Sequence, residues 1–405
     1  MERRNFIRLA GGGVVLAARA GLGAASATGL GMLGGCSLAD VPPGAVAAWQ
    51  GPAAGAELRH WVLSYALLAP NPHNQQPWLA DLRTPGEIVL RLDARRLLPA
   101  TDPYGRQILM GAGAFLELLA MAAAERGQRT ELALFPDGEP GERLDDRPFA
   151  RVRLVADAAV RRDPLFAQVL ARRTDRRAYD PARPIAAADV QRLQAAASGL
   201  PLRFGVAGAA NGMAADGARL DDIRKWVREA WRIELRTEPA MMESLRLLRV
   251  GSAEIDQHRD GIAITSPLLL ALVKTGLFDR RQFPAADASA TTGQIRDFDL
   301  LTASTPAYLW LVSQGNRRPQ QIDAGRAYVR INLAASAAGL ALHPNEQALQ
   351  EYAEVAAPYR AVHTLLDAPP PGHTVQMLAR LGYLPAGTAA PGPAPRRGLA
   401  RQLAL

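Results

Sequence analysis

Apolar residues recur at helical spacing from Glu57 onward. Trp61, Tyr65 and Leu68 fall four and three residues apart and mark one face of a helix, which Pro70 and Pro72 must end. Ile88 to Leu92 reads as a strand, and Ile108, Ala112, Phe115 and Leu119 make the stripe of a second helix. Asp102 is the expected N-cap of that helix, with Pro103 in its first turn and Gly127 just past its end. Strands at 131–135 and 149–155 and a helix at about 164–172 complete a first series. A second series follows: a helix at 186–197, a strand at 201–206, a helix at 218–235 and a strand at 306–313. After these come a helix at 320–338, in which Ile322, Val329, Leu333, Ser336 and Leu340 keep the 3.6 period, a helix at 351–366 and a strand at 374–384. Helices and strands are mixed without strict alternation, which predicts an α+β fold. The order suggests two related halves, 57–160 and 161–405, with 236–303 as an insertion that fits neither. Residues 37–56 read as a linker, and 385–405 as a Pro/Gly-rich, then basic, tail. The apolar run 266–273 is far short of the roughly 20 residues a bilayer span needs, and reads as a buried helix with Ser266 as N-cap and Pro267 at its first position.

With 405 residues, 48% hydrophobic and 21% charged, the chain can bury a large core as two domains or one composite. Its formal net charge of +8 raises nucleic-acid binding as a class. The basic residues argue against it: all are arginines except Lys225 and Lys274, and they are scattered among acidic residues rather than drawn into one stripe. Cys36 is the single cysteine, which excludes an internal disulfide and a Cys-based metal site. The histidines at 60, 73, 258, 343, 363 and 373 show no HxxxH or HExxH spacing, so no metal site is expected.

The N-terminus resembles an address rather than a domain. Arg3-Arg4 followed by Asn5-Phe6-Ile7 is similar to a twin-arginine export signal, and Leu33-Gly34-Gly35-Cys36 resembles a lipoprotein processing site. Glycines at 11, 12, 13, 21, 23, 29 and 31 argue against a stable soluble helix there. Residues 1–36 are therefore expected to direct a folded, cofactor-loaded protein to the periplasm or cell envelope, with membrane attachment only through a lipid on Cys36.

Four segments carry chemistry. In 69–78, prolines fix a turn rich in amides, which can read the rim of a flat heterocycle or cap the turn itself. In 172–179, Arg172, Thr174 and Arg176 alternate, so an extended backbone would present two guanidiniums and a hydroxyl on one side, suited to a phosphate monoester or to a solvated surface. Gly339 at a helix end allows close approach to backbone amides or serves as a C-cap. Arg396-Arg397 follows a Pro-rich stretch and is a basic terminus or a second anion contact.

Together these strings resemble a known family. Pro70-Asn71-Pro72-His73-Asn74-Gln75-Gln76-Pro77-Trp78 is similar to the PSxxNxQPW stretch of FMN-dependent nitroreductases, and Arg172 to Tyr179 to their RRSxRxF phosphate segment. Residues 102–127 and Arg396-Arg397-Gly398-Leu399 resemble the Acg-type branch, in which two nitroreductase-like halves are fused as an intramolecular pseudo-dimer. The resemblance covers about 57–405 and implies one FMN held across the halves. Pro70, Asn71, Pro72, Asn74 and Gln76 would contact the flavin. Arg172, Thr174 and Arg176 would take its phosphate and ribityl end, Arg396 or Arg397 would close on the phosphate, and the backbone around Gly339 and Leu340 would lie near flavin N5. The family usually has serines where this chain has Asn71 and Pro72, and Pro72 lacks the N–H for one backbone contact.

The resemblance implies an oxidoreductase passing electrons or hydride through the flavin to a nitro, quinone or similar small-molecule acceptor, with no acid–base residue required. Export removes the protein from the nicotinamide pool, so a membrane or protein partner is the expected donor. The alternative is a flavin storage or sequestration protein without turnover, shielded by 236–303.

Overall fold

A computed structural model describes residues 40–208 and 217–404, together with the two-residue strands Leu9–Ala10 and Gly13–Val14. The twin-arginine pair and Cys36 lie outside the described residues.

Helix α1 (Leu58–Ala66) opens the first half, followed by strands β1 (Trp78–Asp81) and β2 (Glu87–Leu92), helix α2 (Arg106–Glu125), and strands β3 (Gln128–Leu134) and β4 (Ala150–Ala156). The second half repeats the series with α3 (Ala187–Ala196), β5 (Leu202–Gly208), β6 (Ala307–Gln314), α4 (Arg318–Ala337), β7 (Ala341–Pro344), α5 (Ala356–Leu365) and β8 (His373–Gly382). Both four-stranded sheets are antiparallel, and their orders correspond: β1-β2-β4-β3 in the first and β5-β6-β8-β7 in the second. The chain therefore contains two copies of one α+β unit.

The halves meet through α2 and α4. A methyl group on Gly113 would collide with the carbonyl oxygen of Ile322, and one on Gly325 with that of Met110. Each carbonyl belongs to the residue three before the facing glycine, so one contact is made twice about a pseudo-two-fold axis. Helix α2 is long and apolar enough by composition to cross a membrane, yet its apolar window is 94% buried, which makes it a core helix. The strongest apolar segment of the described chain is therefore α2 and not the short run at 266–273, because α2 is buried around its whole circumference.

Strand β6 is buried on both faces. Ala307, Leu309 and Leu311 pack toward α4, whereas Tyr308, Trp310 and Val312 pack into the core shared with the insertion. The first sheet keeps a solvated face, with Arg151 and Arg153 exposed on β4.

Several expectations shift. Asp102 does cap α2, but from a distance: its carboxylate accepts from the backbone N–H groups of Gln107 and Ile108, and the helix starts at Arg106. The helix expected at 164–172 is a 3-10 turn, Pro164–Gln168. Residues 37–56 are not a free linker where they are described. Pro43–Val46 is a helical turn, Ala45 is fully buried and Trp49 is 7% exposed. Pro267–Lys274 is a helix capped by the Ser266 hydroxyl, as expected, but only Leu269 on it is buried.

The insertion is folded. It contains helices Glu238–Arg246, Gly251–His258, Pro267–Lys274 and Ser289–Ala303, with a parallel pair of short strands, Leu248–Val250 and Ile262–Ile264. It is fastened to the first half. Asp260 pairs with Arg96 at 2.7 Å, and the Glu243 carboxylate accepts from the backbone N–H groups of Ala100 and Thr101, each at 3.0 Å.

The central crossing sets a test. Gly325→Val should destabilise the protein by about 3 kcal/mol, because the obstacle is backbone that cannot move aside. Gly339→Ala, where the backbone is left-handed but nothing lies within 4 Å, should cost only about 1 kcal/mol. Urea unfolding of the two variants beside wild type checks the contrast.

Candidate functional site

Helix α1 ends before Pro70, leaving the carbonyls of Leu67, Leu68 and Ala69 without helical partners. The turn that follows is tied by its own amides. Asn71 Nδ2 donates to Ala69 O at 3.1 Å, and Asn71 Oδ1 accepts from Gln76 N at 2.8 Å. His73, Asn74 and Gln76 are left-handed, at φ of 46°, 53° and 48°, which costs roughly 1–2 kcal/mol per residue. The surroundings hold this strained turn in place. Gln76 is fully buried, donates to Arg259 O at 2.9 Å and accepts from Arg397 N at 2.9 Å. Asn74 Nδ2 donates to Pro395 O at 3.0 Å. The backbone of Gly261, in the insertion, donates to Asn74 O at 3.3 Å. Asn71 and Pro72 rest on α2 at Gly111, where an added methyl group would come within 3.0 Å of Asn71 Cβ.

Two guanidiniums take up the stranded carbonyls. Arg172 is 3% exposed; its Nη2 donates to Leu68 O at 3.1 Å and its Nη1 to Asn332 Oδ1 on α4 at 3.2 Å. Its Nε, also buried, has no hydrogen-bond partner. Arg396, likewise 3% exposed, donates from Nε to Leu67 O and from Nη2 to Leu68 O, both at 3.0 Å, and from Nη1 to Asn74 Oδ1 at 2.8 Å. Cations at a helix C-terminus are favourable. Here, however, they accumulate. Burial lowers the pKa of Arg172 to about 10, with Tyr328 opposing the shift and Arg173 adding to it. Burial, with Arg172 and Arg173 nearby, drives Arg396 well below its ordinary value. Among the described residues none of Arg172, Arg173, Arg176 and Arg396 is hydrogen-bonded or ion-paired to a carboxylate.

Arg176 is open to solvent at its surface yet hemmed in by protein, so that desolvation still lowers its pKa. Facing it is His73, whose pKa is lowered to about 4, first by burial and then by the Arg176 charge. The loop of the first half and the arginine segment of the second are thus brought together. Thr174, in the same segment, is partly buried. Asp175 N donates to Leu342 O at 3.3 Å, which fixes the segment to β7. The Asp175 carboxylate is used locally by Arg177 at 2.6 Å.

The remaining candidates serve other ends. The amide groups of Asn71 and Gln76 are spent within the protein. Arg397 points away from the cluster and donates to Gln76 O at 3.2 Å and Arg401 O at 2.9 Å; burial and the Arg96 charge lower its pKa to about 10. Gly339 is the left-handed residue past α4, and Leu340 belongs to the second-half core. Sequence reasoning missed Trp49, Tyr328 and Asn332. The only signal for Trp49 was one large aromatic in a stretch of Pro, Gly and Ala. Two surface clefts, of about 500 Å³ beside Trp226 and about 430 Å³ beside Tyr104, include no residue of the cluster.

The His73 environment predicts acid sensitivity. Between pH 6.5 and about 4 the unfolded chain binds a proton that folded His73 refuses, so stability falls as pH drops through that window. His73→Gln should remove this component, with wild type losing ground to the variant by at most about 1.4 kcal/mol per pH unit. Urea melts of both proteins from pH 7 to pH 4 measure it; His363, whose pKa is also lowered to about 4, is common to both and cancels.

The Nitroreductase family matches residues 169–383, which span the arginine segment and the second half up to the end of β8. Over 368 residues the chain is 30% identical to the protein of Mycobacterium tuberculosis (strain H37Rv) named "Putative NAD(P)H nitroreductase Rv3131", covering 87% of this chain and 94% of that one. It is 36% identical over 114 residues to "Putative NAD(P)H nitroreductase acg" of the same organism, covering 27% of this chain and 32% of that one. Among solved structures, the FMN-dependent nitroreductase NfnB from Mycobacterium smegmatis, in complex with NADPH, is 18% identical, with a TM-score of 0.34 over 58% of this chain and 94% of that one. By its sequence relatives and its matched family, the chain belongs to the nitroreductase family.

Proposed function

We propose that this chain is an FMN-binding oxidoreductase of the Acg-type branch, with one FMN held where the two halves and the C-terminal tail meet. The observation that carries the reading is the cluster of buried guanidiniums without a carboxylate. Uncompensated buried cations are expensive, and an anionic ligand removes the expense. The residues fit a phosphate monoester: Arg172 keeps a buried Nε–H with no partner, and Arg396 shares the Leu68 carbonyl with it. Arginine forks match phosphate oxygens in pairs.

When bound, FMN supplies hydride or electron transfer at its ring. The chain's own residues bind and orient. The strained loop at 71–76 presents backbone groups and the neutral imidazole of His73 to the ring side. Because His73 stays uncharged at pH 7, it can donate or accept one hydrogen bond there without adding to the charge of Arg176. Gly111 lets the loop lie flat on α2. The acceptor is a nitro, quinone or similar small molecule. If the N-terminal segment exports the chain, electrons come from a membrane or protein partner rather than from free NAD(P)H.

One observation favours the second reading, flavin storage without turnover. The insertion is fastened to the flavin-side loop itself, through Gly261 N to Asn74 O and Gln76 Nε2 to Arg259 O. Stopped-flow reduction separates the two. Rapid reduction of bound flavin by NADPH or by a membrane quinol contradicts storage; reduction by dithionite and by neither of these supports it.

The binding claim is tested with purified chain reconstituted with FMN. A flavin absorption spectrum that survives gel filtration is expected. Arg172→Ala and Arg396→Ala should each weaken FMN binding by roughly 10- to 100-fold, the worth of one charge-assisted contact, in a fluorescence titration. A colourless wild-type protein overturns the proposal.

A further inference from the structure

The segment 43–50 builds one wall of the arginine cluster. Trp49 is 7% exposed, and its ring carries three guanidiniums: Arg173 with its carbon 4.5 Å from the ring centroid, Arg396 at 5.0 Å and Arg172 at 5.5 Å. The indole is pinned from behind, since Nε1 donates to Ala394 O at 2.8 Å. The two strands of chain that hold it are tied to each other, Arg396 N donating to Ala45 O at 2.8 Å. Cations over an indole face are attracted to it, which helps three like charges to share one place when no acid is present.

Arg172 and Arg396 are thus held at once by the carbonyls at the end of α1 and by the indole. Trp49 in turn is held by the tail at Ala394, so the indole and the tail bound the cluster together. On the reading that the site binds FMN, we propose that Trp49, with Arg173, closes the phosphate end, so that the site accepts a terminal phosphate monoester dianion and rejects a diphosphate bearing a second nucleoside. Trp49 is thereby a specificity-determining residue, and residues 43–50 are part of the cofactor site rather than a spacer.

The test compares FMN, riboflavin and FAD by fluorescence titration with wild type, Trp49→Phe, Trp49→Ala and Arg173→Ala, each first shown to be folded by circular dichroism. Wild type should bind FMN at least about tenfold more tightly than either riboflavin or FAD. Trp49→Ala should weaken FMN about tenfold, corresponding to one desolvated cation–π cluster, and should bring FAD to within a factor of about two of FMN. Trp49→Phe should keep most of the discrimination, and Arg173→Ala should lose affinity for FMN but not for riboflavin. Unchanged FMN affinity and continued rejection of FAD by Trp49→Ala overturn the proposal while leaving FMN binding intact. If wild type binds no flavin, the flavin reading falls, and titration with inorganic phosphate decides the rest. Quenching of tryptophan emission that is present in wild type and absent in Trp49→Phe supports the closed anion site, and no such difference overturns it.

Discussion

The carbonyl of Leu68 accepts from Arg172 and from Arg396, residues 104 and 328 positions away in the chain. A helix end buried among apolar residues must have its last carbonyls satisfied, and α1 ends at two prolines that supply no N–H to turn the chain back. Guanidiniums from the second half and from the tail meet that need. In doing so they fasten three parts of the chain at one point and leave several positive charges there without an acid. The geometry of the loop, the seating of Trp49 and the suitability for an anion all follow from this.

The pseudo-two-fold makes the point sharper, because the corresponding end of α3 is treated differently. There Arg330 Nε donates to Ala196 O at 2.6 Å, but Arg330 is also paired with Glu117 at 2.7 Å and Asp163 at 2.8 Å. Arg326 joins the same Glu117 at 2.9 Å. One helix end is capped by charges that are neutralised within the protein; the other is capped by charges that are not. A duplicated fold thus differs at its two equivalent places, with the arginine charges compensated by carboxylates at one and not at the other.

Duplication also explains where the insertion can sit. In the first sheet β1 and β2 are joined by a short turn, whereas in the second the chain leaves between β5 and β6 for almost a hundred residues before returning. Strand β6 is apolar on both faces because that excursion covers the side which the first sheet leaves to water. The excursion then reaches across to the first half, where Asp260, also paired with Arg249 inside the insertion, joins Arg96 and the backbone of Gly261 meets Asn74. The part of the chain least readable from periodicity is thus in contact with the loop that the motifs identify.

How much was legible depends on range. The stripe Ile108, Ala112, Phe115, Leu119 and the stop at Pro70 are short-range matters of period and punctuation, and the sequence by itself determined them, as it did the presence of an amide-rich loop in one half and an arginine segment in the other. The short strands Trp78–Asp81 and Ala341–Pro344 and the order of strands in each sheet were tertiary outcomes. The sequence did not determine that Gln76 would spend its amide on the protein, because the partners, Arg259 and Arg397, come from distant segments, whereas Asn71 closes its own turn on Ala69 and Gln76. Nor did it place Trp49: the stretch from Pro42 to Ala54 has no apolar repeat, and its place is set by packing into the first-half core and by hydrogen bonds with Ala394 and Arg396 of the tail. Which arginines stay without an acid is likewise a tertiary outcome. Charge is local in sequence, but its compensation is decided by whichever carboxylates the fold brings within a few ångströms, and around Arg172 it brings none.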